Sequence, residues 1–179
     1  MSIKAMLIHY WWAVPIIAVA VIAVLSGLGQ IQMNRMMANE HESLMADIDH
    51  PNHPSSPVIQ EADLVSLPAP VQNWLNQTGV VGQKRIRSVT FQQSGLMKLS
   101  PDQKSWYESE ARQTVRVDKP GYIWEVKLPM MPLVTARGRD LLLDGQAAMD
   151  IRIASLLPVA SQSGNEKLNE SALHRFLLE

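Results

Sequence analysis

The stretch ARGRDLLLDGQAAMDIRIASLLPVA, residues 136–160, decides how the folded part of this chain is built. At its centre stands the pair Asp144 and Gly145, a strong signal for a two-residue turn between antiparallel strands. Beyond the turn, apolar and charged residues alternate with a period of two, as along a strand with one face toward a core. The stretch therefore predicts a β-hairpin that belongs to a larger antiparallel sheet.

The same period of two appears in three earlier segments, which are separated by turn-forming residues and by a proline-methionine segment at 129–132. Together with the hairpin they predict five strands of an antiparallel meander, at residues 84–99, 111–117, 121–128, 134–143 and 146–157. A short helix is expected at 70–77, behind two prolines that suit a helix start. The predicted class is therefore α+β, with short helices flanking the sheet.

Alternation gives the predicted sheet one apolar face and one solvated polar face. The apolar face would hold Tyr122, Trp124, Val126 and Leu128 from the third strand, and Ala147, Met149, Ile151 and Ile153 from the fifth. An apolar sheet face must be covered by helices, another sheet or a ligand. The covering helices available are short, and the last of them offers only Leu173, Phe176 and Leu177. We therefore expect a concave, partly open sheet, a half-barrel.

An apolar segment near the start predicts a transmembrane helix. No Asp, Glu, Lys or Arg occurs between Ala5 and Asn34, and residues 10–28 are apolar except for Ser26. Nineteen helical residues reach about 28 Å, enough to cross the hydrocarbon core of a bilayer. Residues 1–32 are therefore predicted to be a membrane anchor, and residues 10–28 to contact the lipid bilayer.

The charges flanking this segment predict its orientation. Lys4 and the amino terminus precede it, while the charged residues counted after it, at 30–60, are Arg35 against four acidic residues. The positive-inside tendency then places the N-terminus in the cytoplasm and the remainder outside, in the periplasm or beyond, with a single pass through a bacterial inner membrane. A cleaved signal peptide is the alternative interpretation, because Gly27 and Gly29 have the spacing of a cleavage site.

Residues 33–60 are interpreted as a stalk, in which the membrane helix continues and prolines at 51, 54 and 57 then break it. His50 and His53 lie there among acidic residues, but an extended, proline-rich segment does not preorganise metal ligands. We therefore expect no metal site there. The folded domain is predicted at residues 61–179, incomplete at its C-terminal end.

Composition excludes several classes of function. Between Glu61 and Glu179 there are 14 basic and 13 acidic residues, which disfavours nucleic-acid binding. The chain has no cysteine, so disulfides and thiolate chemistry are excluded. No nucleophile elbow, phosphate loop or metal motif occurs, and His174 stands alone in the folded part. No cofactor and no catalytic residue are predicted.

The charged cluster within the quoted stretch is divided by strand alternation. Arg137 and Arg139 share one face of their strand, and Asp140 lies on the other. A buried carboxylate needs a partner, and Arg112 or Arg116 on a neighbouring strand is expected to pair with Asp140. In the same way Arg137 is expected to pair with Glu125. This cluster is interpreted as sheet structure, with a ligand-binding role as the alternative.

Several blocks of the sequence resemble an uncharacterised family of bacterial membrane-anchored or exported proteins. The likeness covers Leu67 to the end and includes LPAPV, ARGRD and DGQAAM, which resemble the signatures Leu-Pro-x-Pro-Val, Val-x-Gly-Arg-Asp and Asp-Gly-x-Gly-x-Met. Ala147 departs from the last signature, where glycine is usual. Members of the family continue into a Trp-Phe-Pro segment and further strands, so the resemblance implies a longer domain. It implies no activity, because the function of the family is unknown.

Two hypotheses about function follow. The first is binding of a hydrophobic ligand or lipid on the concave sheet face, and the second is a structural or interaction module of an envelope complex, with a protein partner. An enzyme with Arg139 and Asp140 in its site is the third alternative. The candidate ligand-binding residues are Trp106, Tyr122, Trp124, Arg137, Arg139, Asp140 and Met149.

Overall fold

A computed structural model describes residues 12–48, 58–132 and 134–178 of the 179-residue chain. Helix α1 spans Ala13–Met45, and two short helices follow, α2 at Glu61–Leu64 and α3 at Ala69–Gln77. Helix α4, Glu166–Leu178, ends the described chain. The six strands between α3 and α4 are β1 (Ser88–Met97), β2 (Tyr107–Arg116), β3 (Gly121–Met131), β4 (Val134–Leu143), β5 (Gln146–Ile153) and β6 (Leu157–Ser163).

The strands form one sheet in the order in which they occur in the chain, and every neighbouring pair is antiparallel. The predicted α+β class and open antiparallel meander are confirmed. The predicted number of strands is wrong, because a sixth strand follows β5. The turn before it uses Ala154 and Ser155, which adopt positive φ angles. Neither is a typical turn residue for that conformation, so the sequence carried little sign of this hairpin.

Helix α1 is the longest element of the described residues, and its two halves differ in composition and burial. Its 33 residues include a window of mean hydropathy 2.3, none of which is buried, and the helix is long and apolar enough to span a membrane. The helix does not stop where the apolar residues stop. The expected boundary between anchor and stalk at residues 32 and 33 lies inside α1. Tyr10 and Trp11 of the predicted anchor, and His50 and His53 of the predicted stalk, lie outside the described residues.

The C-terminal half of α1 packs on the sheet through a stripe of residues about four positions apart. Met33, Met37 and Leu44 are buried along this stripe, as expected for one face of a helix. Leu44 forms an apolar cluster with Ile123 and Leu141. The contacts begin at Gly29, where an added Cβ would lie 2.5 Å from the carbonyl oxygen of Ser155. Close approach at this point therefore requires glycine.

Arg116 caps the C-terminal end of α1. It is buried, and its Nη1 donates hydrogen bonds to the carbonyl oxygens of Leu44, at 2.8 Å, and Ala46. Carbonyls at a helix C-terminus have no partner within the helix, and a cation there also interacts favourably with the helix dipole. Asp118 holds the guanidinium through Nε and Nη2, at 2.9 and 3.2 Å. The end of β2 thereby attaches α1 to the sheet.

The sheet face beneath α1, called here the charged face, carries Ile123, Glu125 and Lys127 of β3 and the residues level with them. We predicted that this face is solvated, and that is wrong beneath α1. Ile123 and Leu141 are buried there, and so is Asp150. The prediction failed because strand alternation separates polar from apolar side chains but does not report which element covers them.

The opposite face, called the apolar face, is divided into two parts. At one end, helix α4 covers Tyr122, Leu142 and Ala147 with Ala172. At the other end, Val126, Leu128 and Ala136 form a second buried cluster, packed by surrounding side chains of the sheet and the β1–β2 connection. At the end with the second cluster, Gly29 of α1 contacts the β5–β6 turn, whereas Leu44 of α1 lies at the opposite end of the sheet. The end with the second cluster is therefore the one nearest the apolar part of α1. It is called the anchor end, and the opposite one the far end.

Candidate functional site

Strand register arranges the charged face in rows that run across the sheet. One row holds Arg112, Glu125, Arg139 and Asp150 on β2 to β5, and the next row toward the anchor end holds Glu110, Lys127, Arg137 and Arg152. Residues directly opposite one another in an antiparallel pair have neighbouring side chains. The sequence thus places eight charged side chains side by side on one face.

Helix α1 supplies partners to two of these side chains. Arg139 Nη1 lies 2.7 Å from Glu40 Oε1 in an ion pair, and both side chains are largely buried. Arg137 Nη1 donates a 2.7 Å hydrogen bond to Asn34 Oδ1, and its Nη2 lies 3.4 Å from Met37 Sδ. These contacts join residues about a hundred positions apart in the chain. Arg137 and Arg139 therefore bind the sheet to α1.

The environment of Glu40 differs from that of an exposed carboxyl group. Glu40 lies more than three helical turns after Leu28, outside the apolar part of α1. Burial raises the pKa of its carboxyl group above the usual range, and Arg139 only partly opposes this rise. Glu125 and Asp150 raise the pKa further, because their negative charges disfavour a third one nearby. Three carboxyl groups therefore share the neighbourhood of Arg139.

Besides Arg139 Nη1, which forms the ion pair with Glu40, four polar atoms of this layer are buried without a hydrogen-bond partner in the described structure, namely Glu40 Oε2, Arg137 Nε, Arg139 Nε and Asp150 Oδ1. Asp150 Oδ2 does accept a 2.7 Å hydrogen bond from Arg152 Nε. An unsatisfied buried polar atom costs roughly 1–3 kcal/mol, and more when it is charged. The layer between α1 and the sheet is therefore polar and only partly satisfied by its own side chains.

A cleft of about 520 Å³ opens on the charged face beside α1, over β1, β2 and β3. An adjoining cleft of about 250 Å³ shares Met37, Arg112, Glu125 and Arg137 with it. The lining is mostly polar and includes Gln92 and Ser94 of β1. The two together form a continuous polar recess, called here the α1 cleft.

The apolar face also contains one charged group, Asp140. Arg175 of α4 pairs with it at 2.6 Å, and the Tyr122 hydroxyl donates a 3.2 Å hydrogen bond to the same oxygen, Oδ2. Arg175 also lies over the rings of Tyr122 and Trp124, at 4.9 and 5.4 Å from their centroids. A guanidinium held between a carboxylate and two aromatic rings is well suited to fastening a helix to a sheet.

The cross-strand partners predicted from the sequence are not the observed ones. Arg116 pairs with Asp118 and caps α1, and Arg112 lies on the charged face, opposite to Asp140. The residue level with Glu125 on β4 is Arg139, not the predicted Arg137. Only the separation of Asp140 from both arginines is confirmed. The pairings failed because the true partners come from α1 and α4, far away in the chain.

The structure separates the seven predicted ligand-binding residues into three groups. Tyr122, Trp124, Asp140 and Met149 lie together on the apolar face, where Trp124 Nε1 donates a 3.0 Å hydrogen bond to Gln93. Arg137 and Arg139 lie on the charged face under α1. Trp106 lies at the anchor end, exposed, with Lys98 Nζ 4.8 Å from its ring centroid. These residues do not form one site.

Tyr122 is fully buried, and its group on the apolar face is closed by Arg175 and Phe176. Sequence reasoning missed Arg175, Glu40 and Asn34 as partners. The signal available for Glu40 and Asn34 was their position on the helical stripe with Met33, Met37 and Leu44. For Arg175 there was the requirement that Asp140 find a cation, but nothing in strand spacing indicated the last helix.

No group of three or more His, Cys, Asp or Glu residues that could hold a metal ion occurs within residues 12–48, 58–132 and 134–178. A third cleft, of about 710 Å³, lies at the far end between the β4–β5 turn and the start of α4. Its lining includes Lys119 and Asp144, which form an exposed ion pair at 2.6 Å. It contains no unpaired buried charge.

A model of a protein family of unknown function, DUF6920, matches residues 65–179, and the chain belongs to this family. This confirms the resemblance seen in the sequence to an uncharacterised domain family. No curated protein and no solved structure matches the chain. The matched region includes all six strands and α4, whereas α1 lies before it.

Proposed function

We propose that this protein is a membrane-tethered domain that binds lipid at the anchor end of its sheet. The apolar part of α1 leaves the sheet at the anchor end. Four large apolar side chains are exposed at the same end, and this observation is the main support for the proposal. These are Leu96, Trp106, Met131 and Leu157, each more than half exposed. They lie at the end of β1, before β2, at the end of β3 and at the start of β6.

The rigid path of α1 supports this proposal. The helix continues without a break from its apolar half to the half that is fixed on the sheet by Arg116, Arg137 and Arg139. A helix held at three points cannot swing the domain freely away from the membrane. The anchor end therefore faces the bilayer when α1 spans it, with the domain on the side opposite the N-terminus. The charge distribution around α1 favours the periplasmic side of a bacterial inner membrane.

The chemistry of the anchor end fits the interface of a bilayer. Trp106 is stacked with Lys98, and amphipathic aromatic rings and lysines are enriched at the headgroup level. Behind the exposed side chains lies the cluster of Val126, Leu128 and Ala136, which is already packed. The proposal is therefore contact with bilayer lipid at the anchor end of the sheet, and not storage of a cargo molecule inside a concave sheet.

The absence of cysteine allows a direct test with single-cysteine variants of the full chain. Leu96→Cys and Met131→Cys, labelled with an environment-sensitive fluorophore and reconstituted in phosphatidylcholine nanodiscs, should show blue-shifted emission and quenching by spin-labelled lipid. Val117→Cys is the matched control, because Val117 is an exposed apolar residue at the far end. Equal quenching at positions 96 and 117, or none at either, would refute lipid contact at the anchor end.

A second candidate function, assembly with an envelope protein, is favoured by the α2–α3 segment. Helix α3 has no buried residue, and Trp74 and Val71 are exposed on it. A photo-crosslinking residue at position 74 should then join the chain to a protein in native membranes, while one at Asn73 should not. Crosslinks to lipid alone at position 74 would count against this second function.

A further inference from the structure

We propose that the α1 cleft binds a phosphate diester, the group shared by phospholipid headgroups and soluble glycerophosphodiesters. The site lies on the charged face and uses Arg112, Lys127 and Arg137 as its basic residues. It is distinct from the anchor-end surface proposed to contact lipid, so the two proposals stand or fall separately.

Basic side chains lie next to one another on the strands that line the cleft. Lys127 and Arg137 are directly opposite each other on β3 and β4, and Arg152 on β5 is directly opposite Arg137. Like charges in this position destabilise a sheet. Asp150 neutralises Arg152 at 2.7 Å, but Arg137 has only the neutral amide of Asn34 and the Met37 sulfur. A bound anion would remove the remaining repulsion between Lys127 and Arg137.

The charges lining the cleft do not neutralise one another. Glu110 is directly opposite Lys127, and Glu125 is directly opposite Arg112. Even so, in the described part of the chain no ion pair within 4.0 Å joins any two of these four residues. Arg137 Nε is in addition buried without a hydrogen-bond partner. The cleft thus offers donors that its own carboxylates leave available.

The balance of charge selects the class of anion. The cleft is lined by three basic side chains and by two carboxylates, Glu110 and Glu125, which leaves one net positive charge. That balance matches a singly charged anion and disfavours a doubly charged phosphate monoester or a polyanion. Two arginines can each offer paired N–H donors to a phosphate, and Gln92 and Ser94 supply neutral polar contacts.

The position of the cleft is compatible with either source of the group. Asn34, which lines the smaller part of the α1 cleft, lies six residues after Leu28 on α1. That separation is about 9 Å along the helix, about 1 Å beyond a headgroup layer about 5–8 Å thick. A lipid phosphate at the membrane surface and a soluble diester both reach this level.

The test uses the full chain in a maltoside detergent, which contains no phosphate. One arm titrates it with glycerophosphoglycerol by calorimetry, and the other adds phosphatidylglycerol to the micelles and follows binding by native mass spectrometry. Saturable binding of the soluble diester identifies a free ligand, and binding of the lipid alone identifies a headgroup site. Either result supports the proposal, and no binding in both arms overturns it.

Variants locate the binding. Arg137→Gln and Lys127→Gln should each weaken the apparent affinity about tenfold or more, because a hydrogen bond to a charged group is lost. Lys119→Gln is the matched control, since it removes an exposed positive charge at the far end. Lys127 is exposed and its replacement is compatible with folding, so a folding defect of Arg137→Gln would leave the test intact. Binding that is equally strong in Lys127→Gln and Lys119→Gln overturns the assignment, and so does tighter binding of inorganic phosphate than of the diester.

Discussion

The two faces of the sheet are each covered by a helix, but in opposite ways. On the charged face, α1 brings apolar Met37 against Arg137, while its Leu44 packs on Ile123 and Leu141. On the apolar face, α4 brings Arg175 over a surface that is largely aromatic and aliphatic. Each helix therefore carries one side chain, Met37 or Arg175, that differs in kind from the sheet residues it contacts.

This difference shows that polar alternation along a strand does not decide solvent exposure. Asp150 is as buried as Leu142, although the two lie on opposite faces. The part of the charged face beneath α1 is buried because this helix, whose first half is long and apolar enough to span a membrane, continues across it. The price is a layer of buried charges that the chain satisfies only in part, and this layer borders the α1 cleft.

The largest effect is expected from removing the apolar contact between Leu44 of α1 and the charged face. Leu44→Ala should lower the free energy of unfolding by about 2–5 kcal/mol, because it leaves a cavity beside Ile123 and Leu141. Leu177→Ala, on an exposed position of α4, is the control and should change it by less than about 0.5 kcal/mol. Denaturant titration of the full chain in detergent measures both. Equal stability of the two variants would mean that α1 does not cover the charged face.

The next largest effect on stability is expected at the C-terminal end of α1, where Arg116 and Asp118 attach the helix to the sheet. Arg116 holds down the pKa of the Asp118 carboxyl group through its hydrogen bonds, so Asp118 stabilises the fold above its unfolded pKa. Asp118→Asn should cost about 1.5–3 kcal/mol at neutral pH. The deficit should shrink as the pH falls through the folded pKa, where the native carboxyl group becomes protonated as well. A deficit that is constant with pH would contradict the ion pair.

On the apolar face, the Asp140–Arg175 pair is accessible to a double-mutant cycle. Asp140→Asn and Arg175→Met, singly and together, should reveal a coupling free energy of about 1 kcal/mol, since the pair is partly exposed. Arg175→Lys should restore little of it, because lysine lacks the planar fork that reaches Asp140 while it lies over Tyr122 and Trp124. Thermal unfolding of the four proteins measures the cycle. Additive effects would show that α4 is held by packing alone.

The smallest expected effect is the pH dependence of stability that Glu40 gives to the contact between α1 and the charged face. Burial raises the pKa of Glu40, so its contribution to stability is greatest at low pH and falls as the pH rises through the folded pKa. Glu40→Gln removes this dependence and should alter stability at neutral pH by less than about 1 kcal/mol, because the cost of burying the carboxylate largely cancels the gain from its ion pair with Arg139. Denaturant titrations at acid and neutral pH measure the stability of each variant relative to the natural chain. As the pH falls, the relative stability of Glu40→Gln should fall, whereas that of Asp118→Asn should rise. The same sense for both variants would refute the raised pKa of Glu40.

Much of the fold was predictable because its signals are local. The Asp144–Gly145 turn, the period of two along β3 and β5, and the apolar run in α1 each act over a few neighbouring residues. The sixth strand escaped because its turn uses Ala154 and Ser155 in a conformation that favours other residues. The candidate site was less predictable, since Arg137 and Arg139 find their partners on α1, about a hundred residues earlier.

The amino-acid order alone was enough to predict the antiparallel meander, its division into an apolar and a charged face, and an apolar helix long enough to span a membrane. Those properties follow from periodicity and from the length of the apolar run along the chain. The packing of helices on the sheet was needed to show that α1 covers the charged face, that Arg175 joins Asp140, and that the seven predicted residues lie in three places. The reason is that such contacts depend on how complete elements pack, and a side chain's spacing within its own strand does not record which helix will lie over it.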